Sequence, residues 1–160
     1  MSTQSDDIRF LRMAIELARE GMRSGQGGPF GCLIVKDGEV VGQGNNRVTS
    51  SNDPTAHAEV VAIRDACQRL GHFQLHDCVL YTSCEPCPMC LGAIYWARPS
   101  RMVFAASRQD AAQGGFDDDF IYSQVHLLPQ ERSIPGHQEL AEEGRALFGE
   151  WQAKEDRVAY

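Results

Sequence analysis

Two short motifs, thirty residues apart, constrain the fold of this 160-residue chain more than any other feature of its sequence. The first is His57-Ala58-Glu59, and the second is Pro86-Cys87-Pro88-Met89-Cys90. Each stands near the start of a predicted helix, and a predicted strand lies between the two helices. Helices that flank a strand in this way can begin at the same end of a sheet. The sequence therefore predicts a fold that brings the two motifs together.

The motifs supply one imidazole and two thiols, from His57, Cys87 and Cys90. This donor set is borderline-soft and suits zinc. Because Cys87 and Cys90 are three residues apart, both can reach one ion. Three protein ligands leave one tetrahedral position open, and in catalytic zinc sites that position holds a water whose pKa falls to about 7. The pattern predicts one zinc ion per subunit in a hydrolytic site.

Glu59 is the predicted proton carrier, which accepts the proton of the attacking water and passes it to the leaving group. Residues two apart in a helix do not face each other. His57 and Glu59 can therefore serve one site only if the metal lies off the tip of the helix. His-x-Glu combined with Pro-Cys-x-x-Cys is typical of zinc-dependent nucleobase deaminases.

Three other uses of the cysteines are open at this point. Cys84 could complete a closed structural zinc site with His57, Cys87 and Cys90. Cys84, Cys87 and Cys90 also match the first three cysteines of the bacterial iron–sulfur cluster motif. Ile94 occupies the position of the fourth cysteine of that motif. Cys87 and Cys90 alone could form a redox pair, which leaves the His-x-Glu motif unexplained. We expect the remaining cysteines to be buried core thiols: Cys32, Cys67 and Cys78.

Apolar periodicity and turn signals predict strands that alternate with helices. Helices are predicted at 6–23, 53–70 and 88–98, with a weaker one within 139–156, and strands at 30–36, 39–43, 78–82 and 101–106. Asp53 and Pro54 carry the signals of a helix start, so we expect them to open the second helix. No linker divides the chain, and residues 1–160 are expected to form one domain of the α/β class.

Charge and hydropathy disfavour nucleic-acid binding and a membrane location. The net charge is −7 and the pI is about 5.2, which disfavours nucleic-acid binding. No apolar run approaches the ~18 residues of a membrane span. Residues 1–7 are polar and acidic, unlike a signal peptide. We expect a cytoplasmic protein without a membrane partner, whose six cysteines are thiols or metal ligands.

Longer strings around the motifs resemble the small bacterial guanine deaminases of the cytidine deaminase-like superfamily. These strings are 28–31, 51–59, 83–99 and 115–122. The resemblance covers residues 5–125, is poorer from 126 to 155, and returns at Tyr160. It implies a three-layer α/β/α fold around a five-stranded mixed sheet. It also implies the zinc-dependent hydrolysis of guanine to xanthine and ammonia.

The resemblance further implies roles for single residues. His57, Cys87 and Cys90 would hold the zinc, and Glu59 would shuttle protons. The substrate contacts that it implies are Phe30, Asn46, Ala58, Trp96, Asp118 and Tyr160. Phe30 and Trp96 would line or stack on the purine ring, and Asn46 would hydrogen-bond to it. Backbone amides near Ala58 and Cys87 would help to hold an oxygen atom.

Asp118 is implied in purine recognition or in proton transfer. A carboxylate can accept hydrogen bonds from both guanine N1–H and the exocyclic amine. Three adjacent aspartates, Asp117 to Asp119, leave open which one takes this role. A solvated acidic turn is the alternative.

The resemblance also implies a homodimer. Residues 126–160 would form a C-terminal segment that packs on, or exchanges into, a partner subunit. Tyr160 would then close the pocket, whereas a frayed terminus is the alternative.

Three other functions stay open. One is deamination of another amino-heterocycle, of the cytosine or triazine type. Another is deamination of adenosine in tRNA, since those enzymes share the string at 53–59, although the acidic charge and the terminal Tyr160 disfavour it. A different class is a non-catalytic binding module stabilised by structural zinc.

Overall fold

A computed structural model describes residues 4–116 and 118–160 of the chain. The chain divides into two compact units, Met1–Asp119 and Phe120–Tyr160. The single domain over 1–160 with a C-terminal segment from residue 126 stays a prediction.

The first unit is built on a mixed sheet. Its strands are β1 (Gly31–Lys36), β2 (Glu39–Asn45), β3 (Cys78–Cys84) and β4 (Arg101–Ala106). Their order across the sheet is β2-β1-β3-β4. β1 pairs antiparallel with both β2 and β3, and β3 pairs parallel with β4. Asp37 and Gly38 both have positive φ and form the predicted hairpin turn between β1 and β2.

Helices cover both faces of this sheet. They are α1 (Gln4–Arg23), α2 (Val48–Ser51), α3 (Ala58–Leu70), α4 (Pro88–Ala97) and α5 (Arg108–Gln113). α6 (Asp118–Val125) begins at the end of the first unit. On one face, Phe10 and Ala14 of α1 pack against Leu33 and Tyr81. On the other face, α3 and α4 pack against the sheet. The buried residues of this layer include Cys32, Ile34, Cys78 and Leu80 from the strands, and Ala58, Ala62, Ala66, Ile94 and Ala97 from the helices. The predicted three-layer α/β/α arrangement is confirmed.

The number of strands differs from the expectation. The resemblance implied five strands, but the described residues contain four. These four are the strands that the sequence pattern predicts. After β4 the chain turns into helix instead, because Ser107 and Asp110 form a reciprocal capping box that starts α5. The expectation of a five-stranded sheet was therefore wrong.

The start of the second predicted helix also differs. The helix begins at Ala58, with His57 as its N-cap in an extended conformation, and not at Asp53. Oδ1 of Asp53 accepts hydrogen bonds from the backbone N–H of Thr55 (2.8 Å) and from its hydroxyl group (2.7 Å). The carboxylate of Asp53 therefore closes a local turn rather than capping the helix.

The second unit contains the rest of α6, a short 3-10 helix (Pro129–Glu131) and α7 (Ala141–Ala153). The weaker predicted helix within 139–156 corresponds to α7. None of residues 120–160 is buried. Among the residues that the structure describes, no helix is both long and apolar enough to span a membrane.

Candidate metal centre and substrate pocket

The site lies at one end of the sheet, where several elements meet. Gly31 at the start of β1 is paired with Asn45 at the end of β2, and Cys32 is paired with Thr82 near the end of β3. The antiparallel pairing therefore places the start of β1 beside the ends of β2 and β3. The loops that follow β2 and β3 lead to α3 and α4. This topology brings the two sequence motifs to the same end of the sheet.

The predicted metal ligands come together. Nδ1 of His57 lies 3.5 Å from Sγ of Cys87 and 3.4 Å from Sγ of Cys90. With Zn–N near 2.0 Å and Zn–S near 2.3 Å, two ligands of a tetrahedral zinc stand about 3.5 Å apart. One nitrogen and two sulfur atoms, all within 4.8 Å of one another, therefore fit a zinc ion by both chemistry and spacing.

His57 and Cys87 occupy equivalent positions in their helices. His57 is the N-cap of α3 and Cys87 is the N-cap of α4, both with extended backbone angles. A residue at an N-cap lies outside the helical turn, so His57 and Glu59 need not point in opposite directions. This geometry is compatible with the expected position of the metal, off the tip of the helix.

The surroundings of Cys87 favour its thiolate. Hydrogen bonds from the Cys90 thiol, the His57 ring and the Cys90 backbone N–H lower the pKa of Cys87 to about 4. The hydrogen bond to Cys87, together with burial, raises the pKa of Cys90. The positive ends of α3 and α4 add to the stabilisation of negative charge. A thiolate is the form that binds metal.

Cys84 lies outside this cluster. Its Sγ donates a hydrogen bond to the carbonyl oxygen of Ser107 (3.6 Å). Burial raises the pKa of the Cys84 thiol to about 11, which disfavours its thiolate. The group that could hold a metal consists of His57, Cys87 and Cys90. Three ligands agree with a site that keeps a position for water, rather than with a closed four-ligand site. Of the other thiols, Cys32 and Cys78 are buried and Cys67 is half-buried.

Glu59 is buried beside the ligands, with only 5% of its surface exposed. Oε1 of Glu59 accepts a hydrogen bond from the hydroxyl of Thr82 on β3 (3.3 Å). Burial raises the pKa of the Glu59 carboxyl above its usual value. A carboxyl group with a raised pKa is suited to take up and release a proton near neutral pH.

A cavity of about 250 Å³ opens beside these groups. Its lining residues are Gly28, Phe30, Asn46, Val48, Thr49, His57, Glu59, Glu85, Cys87, Phe116 and Asp118. Pockets for drug-sized ligands span about 300–1,000 Å³. The smaller volume of this cavity suits a compact molecule such as a free heterocyclic base. His57, Glu59, Cys87, Phe30, Asn46 and Asp118 thus lie in one pocket, and their roles there stay predictions.

Asn46 directly follows β2, and hydrogen bonds fix the orientation of its side chain. Oδ1 of Asn46 accepts hydrogen bonds from the backbone N–H groups of Gly28 (3.3 Å) and Val48 (3.2 Å). The amide oxygen is thereby occupied, and Nδ2 is the group that can donate to a ligand. Gly27 makes room for this arrangement, because a Cβ there would lie 2.4 Å from Oδ1 of Asn46.

Two aromatic rings form a corner of the pocket. Phe30 and Phe116 meet edge to face, with their centroids 4.7 Å apart and their planes at 84°. This is a preferred geometry for an aromatic pair. A flat heterocycle can stack on one ring while the other ring closes its edge. Phe116 was not among the predicted site residues, although it belongs to a string that carries the family resemblance.

Asp118 is the first residue of α6 and lines the pocket. Its negative charge contributes to the raised pKa of His57, where the largest contribution is the hydrogen bond with Cys87. Asp119, the next residue, forms an ion pair with Arg108. Asp117 lies outside the described residues.

The other predicted substrate contacts are not among the residues that line this pocket. Ala58 is fully buried as the first residue of α3. Trp96 lies on α4 and is 63% exposed. Tyr160, in the second unit, is 68% exposed. Their roles in substrate binding stay predictions.

Four lining residues besides Phe116 were not predicted: Gly28, Val48, Thr49 and Glu85. Gly28 and Glu85 stand inside the strings that carry the resemblance, so those strings offered a signal for both. Val48 and Thr49 lie on the short helix α2, and no sequence pattern points to them.

Comparison with known proteins decides the family. Residues 4–106 match the family model for the cytidine and deoxycytidylate deaminase zinc-binding region. The chain belongs to this family. Within the cytidine and deoxycytidylate deaminase family, the guanine deaminase of Bacillus subtilis (strain 168) is 56% identical over 151 residues. That match covers 94% of this chain and 97% of the relative.

A solved structure supports the same placement. The X-ray structure of guanine deaminase from Bacillus subtilis superposes with a TM-score of 0.93 at 53% identity, covering 100% of this chain and 99% of that chain. The tRNA-specific adenosine deaminase of Aquifex aeolicus (strain VF5) is 41% identical over 106 residues, 66% of this chain and 68% of that protein. These findings confirm the resemblance and the α/β/α fold that it implied.

Proposed function

We propose that the chain catalyses the zinc-dependent hydrolysis of guanine to xanthine and ammonia. The observation that carries the proposal is the presence of Asp118 in the same pocket as the His57, Cys87 and Cys90 cluster. Guanine offers two adjacent donors, N1–H and the exocyclic amine, and a carboxylate can accept from both. The relative that matches nearly the whole chain is a guanine deaminase.

His57, Cys87 and Cys90 would hold the zinc ion, which supplies a water of lowered pKa and a Lewis acid when bound. Glu59 would take a proton from the attacking water as the water adds to C2, the carbon that carries the amine. Glu59 then delivers the proton to the ring nitrogen, and its raised pKa suits both steps. The remaining proton of the former water, now on the hydroxyl group at C2, would pass through Glu59 or Asp118 to the amine, and ammonia would leave as the C2 carbonyl forms.

The remaining pocket residues bind and orient the base. Phe30 and Phe116 provide the aromatic corner, and Nδ2 of Asn46 donates to an acceptor on the purine edge. Asp118 accepts from the donors on the opposite edge. Trp96, the backbone near Ala58, and Tyr160 complete the set of contacts that the family resemblance implies. Fixing the substrate beside the nucleophile accounts for much of the rate of such a reaction.

The decisive experiment supplies zinc-loaded protein with guanine, and measures xanthine by ultraviolet absorbance and ammonia in parallel. Adenosine in a tRNA anticodon hairpin, cytosine and a triazine amine are tested beside it. Zinc-dependent conversion of guanine without conversion of the hairpin is expected. Conversion of the hairpin alone, with binding that weakens steeply as salt rises, would instead support the tRNA reaction. Stoichiometric zinc without any turnover would support a structural-zinc binding module.

We propose further that the protein acts as a homodimer in the cytoplasm, with the C-terminal segment exchanged between subunits. Several large apolar side chains of the second unit are exposed in the single chain, including Ile134 (86%), Phe148 (71%) and Leu147 (64%). Apolar surface of this kind usually marks an interaction site. In a two-fold symmetric dimer, each chain would cover this apolar surface of the other. The six free thiols suit a reducing compartment.

Complementation tests the exchange. Glu59→Gln and Tyr160→Ala chains are co-expressed, and each variant alone is expected to have low activity. If Tyr160 completes the partner's site, a mixed dimer contains one site with both native groups. Random pairing then restores about a quarter of wild-type activity. If Tyr160 serves its own chain, mixing restores nothing. Sedimentation of the wild-type protein measures the dimer directly.

A further inference from the structure

Glu85 ties together two loops beside the pocket. It follows β3 directly and stands two residues before the ligand Cys87. Its backbone N–H donates to the carbonyl oxygen of Ala106 (2.8 Å). Its Oε2 accepts a hydrogen bond from the backbone N–H of Arg108 (3.0 Å). The loop that carries the metal ligand and the loop that starts α5 are therefore joined at two points.

Arg108 extends this connection toward Asp118. Nε of Arg108 lies 3.5 Å from Oδ1 of Asp119. Asp119 is the second residue of α6 and directly follows Asp118, which lines the pocket. A continuous series of contacts thus runs from Glu85, beside the metal ligands, through Arg108 to the first turn of α6.

The charges in the pocket explain why such a connection is needed. Three carboxyl groups line the cavity, from Glu59, Glu85 and Asp118. Like charges at short distance repel, more strongly where solvent is partly excluded. A carboxylate at the start of a helix, next to open solvent, can relieve this repulsion by turning outward. A cation that holds the neighbouring residue opposes that movement.

We propose that Arg108 is a positioning residue, which holds Asp118 in the pocket by pairing with Asp119 while Glu85 fixes the Arg108 backbone to the metal loop. This inference rests on the proposed function, because it concerns the residue that reads the guanine edge. The side chains of Arg108 and Asp119 are 37% and 56% exposed. An ion pair this exposed contributes little to folding stability. Its effect is therefore expected in substrate binding and turnover, where small displacements of a contacting group are costly.

The test compares Arg108→Ala, Arg108→Lys and a control, Arg69→Ala. Arg69 forms an ion pair with Asp65 on α3 (2.9 Å), and neither residue lines the pocket. Zinc content, Tm, the KM and kcat for guanine, and the Kd for xanthine are measured for each. Arg108→Ala is expected to keep zinc and Tm, and to raise both KM and Kd by roughly tenfold or more. Arg108→Lys is expected to lose less, and Arg69→Ala to match the wild type.

A double-variant comparison separates positioning from a general structural role. If Arg108 acts through Asp118, adding Arg108→Ala to Asp118→Ala causes no further loss of activity. The charge exchange Arg108→Asp with Asp119→Arg is expected to recover part of the lost affinity for xanthine. Wild-type KM and Kd in Arg108→Ala, or a full additional loss in the Asp118→Ala background, would overturn this inference alone. A wild-type chain that releases no ammonia from guanine would overturn the proposed function, and this inference with it.

Discussion

Oδ1 of Asn46 accepts a hydrogen bond from the backbone N–H of Gly28, 3.3 Å away, and so fixes which end of the amide faces the pocket. A second backbone N–H, from Val48, occupies the same oxygen at 3.2 Å. The sequence alone does not tell whether the oxygen or the nitrogen of an asparagine amide faces a pocket. Here the backbone N–H groups of the neighbouring loops hold the oxygen, so Nδ2 is the donor that faces a substrate.

Asn46→Asp tests this assignment. One carboxylate oxygen can still accept from Gly28 and Val48, but the other oxygen replaces the donor with an acceptor. We expect the KM for guanine to rise roughly tenfold to a hundredfold, while zinc content stays the same. Asn45→Asp is the matched control. Its Nδ2 donates to Oε1 of Gln26 (2.7 Å) and to the Asn46 carbonyl oxygen (3.4 Å), but its side chain does not line the pocket, so we expect stability to change more than KM. A wild-type KM in Asn46→Asp would contradict the assignment.

Glu59→Gln removes the proton carrier while keeping the shape of the side chain. Glu59 is not part of the His57, Cys87 and Cys90 cluster that could hold the metal, so the variant is expected to bind stoichiometric zinc. Without a group that accepts and returns the proton, kcat is expected to fall by roughly 10²–10⁴-fold. Metal analysis and steady-state kinetics on the same preparation check both parts. A kcat near that of the wild type would remove Glu59 from the mechanism.

Cys87→Ala and Cys84→Ala distinguish a three-ligand site from a four-ligand site. Cys87 belongs to the metal cluster, whereas Cys84 bonds to the carbonyl of Ser107. Cys87→Ala is expected to lose zinc and to unfold at a lower temperature, because a ligand that binds only the folded state stabilises it. Cys84→Ala is expected to retain zinc and activity. Loss of zinc from Cys84→Ala would favour the closed structural site.

The local part of the site was predictable because its signals are local. The spacing within Cys87-x-x-Cys90 predicted the metal ligands. The turn residues around each strand predicted the four strands. The start of α3 was mispredicted because Asp53-Pro54 has the stronger local helix signal. In the structure Asp53 bonds to Thr55, and only the tertiary position of the loop shows this.

The rest of the pocket depends on contacts between distant segments. Phe116 meets Phe30 only because the loop after α5 returns to the start of β1. Val48 enters through α2, which is too short to give an apolar period. Neither side chain carries a pattern that distinguishes it from an ordinary core residue. Val48 can be assigned to the pocket only after the fold is known, whereas Phe116 stands in a string that carries the family resemblance.

Thr82→Val tests how the fold tunes Glu59. The Thr82 hydroxyl donates to Oε1 of Glu59 and favours its ionised form, whereas burial raises the Glu59 pKa. Removing the hydroxyl is expected to raise that pKa further. A general base works when ionised, so activity is lost as pH falls through its pKa. The acid limb of the kcat/KM profile should therefore move to higher pH. An unchanged limb would show that another group controls it.

Gly44→Ala tests the packing that places His57 and Glu59. Gly44 lies on β2 beneath α3, and a Cβ there would lie 2.5 Å from the Ala58 carbonyl oxygen and 2.6 Å from the Ala62 nitrogen. Both are backbone atoms, so the start of α3 must move away from the sheet. We expect a loss of about 1–3 kcal/mol in unfolding free energy, measured with urea, together with weaker zinc binding.

Gly92→Ala is the control for that change. A Cβ at Gly92, on α4, would meet no heavy atom within 4 Å, and alanine in a helix is favoured over glycine by up to about 1 kcal/mol. The two substitutions add the same methyl group, yet they are expected to change stability in opposite directions. Equal stability of the two variants would show that α3 does not depend on the close approach to β2. In that case some other contact would have to fix His57 at the N-cap of α3.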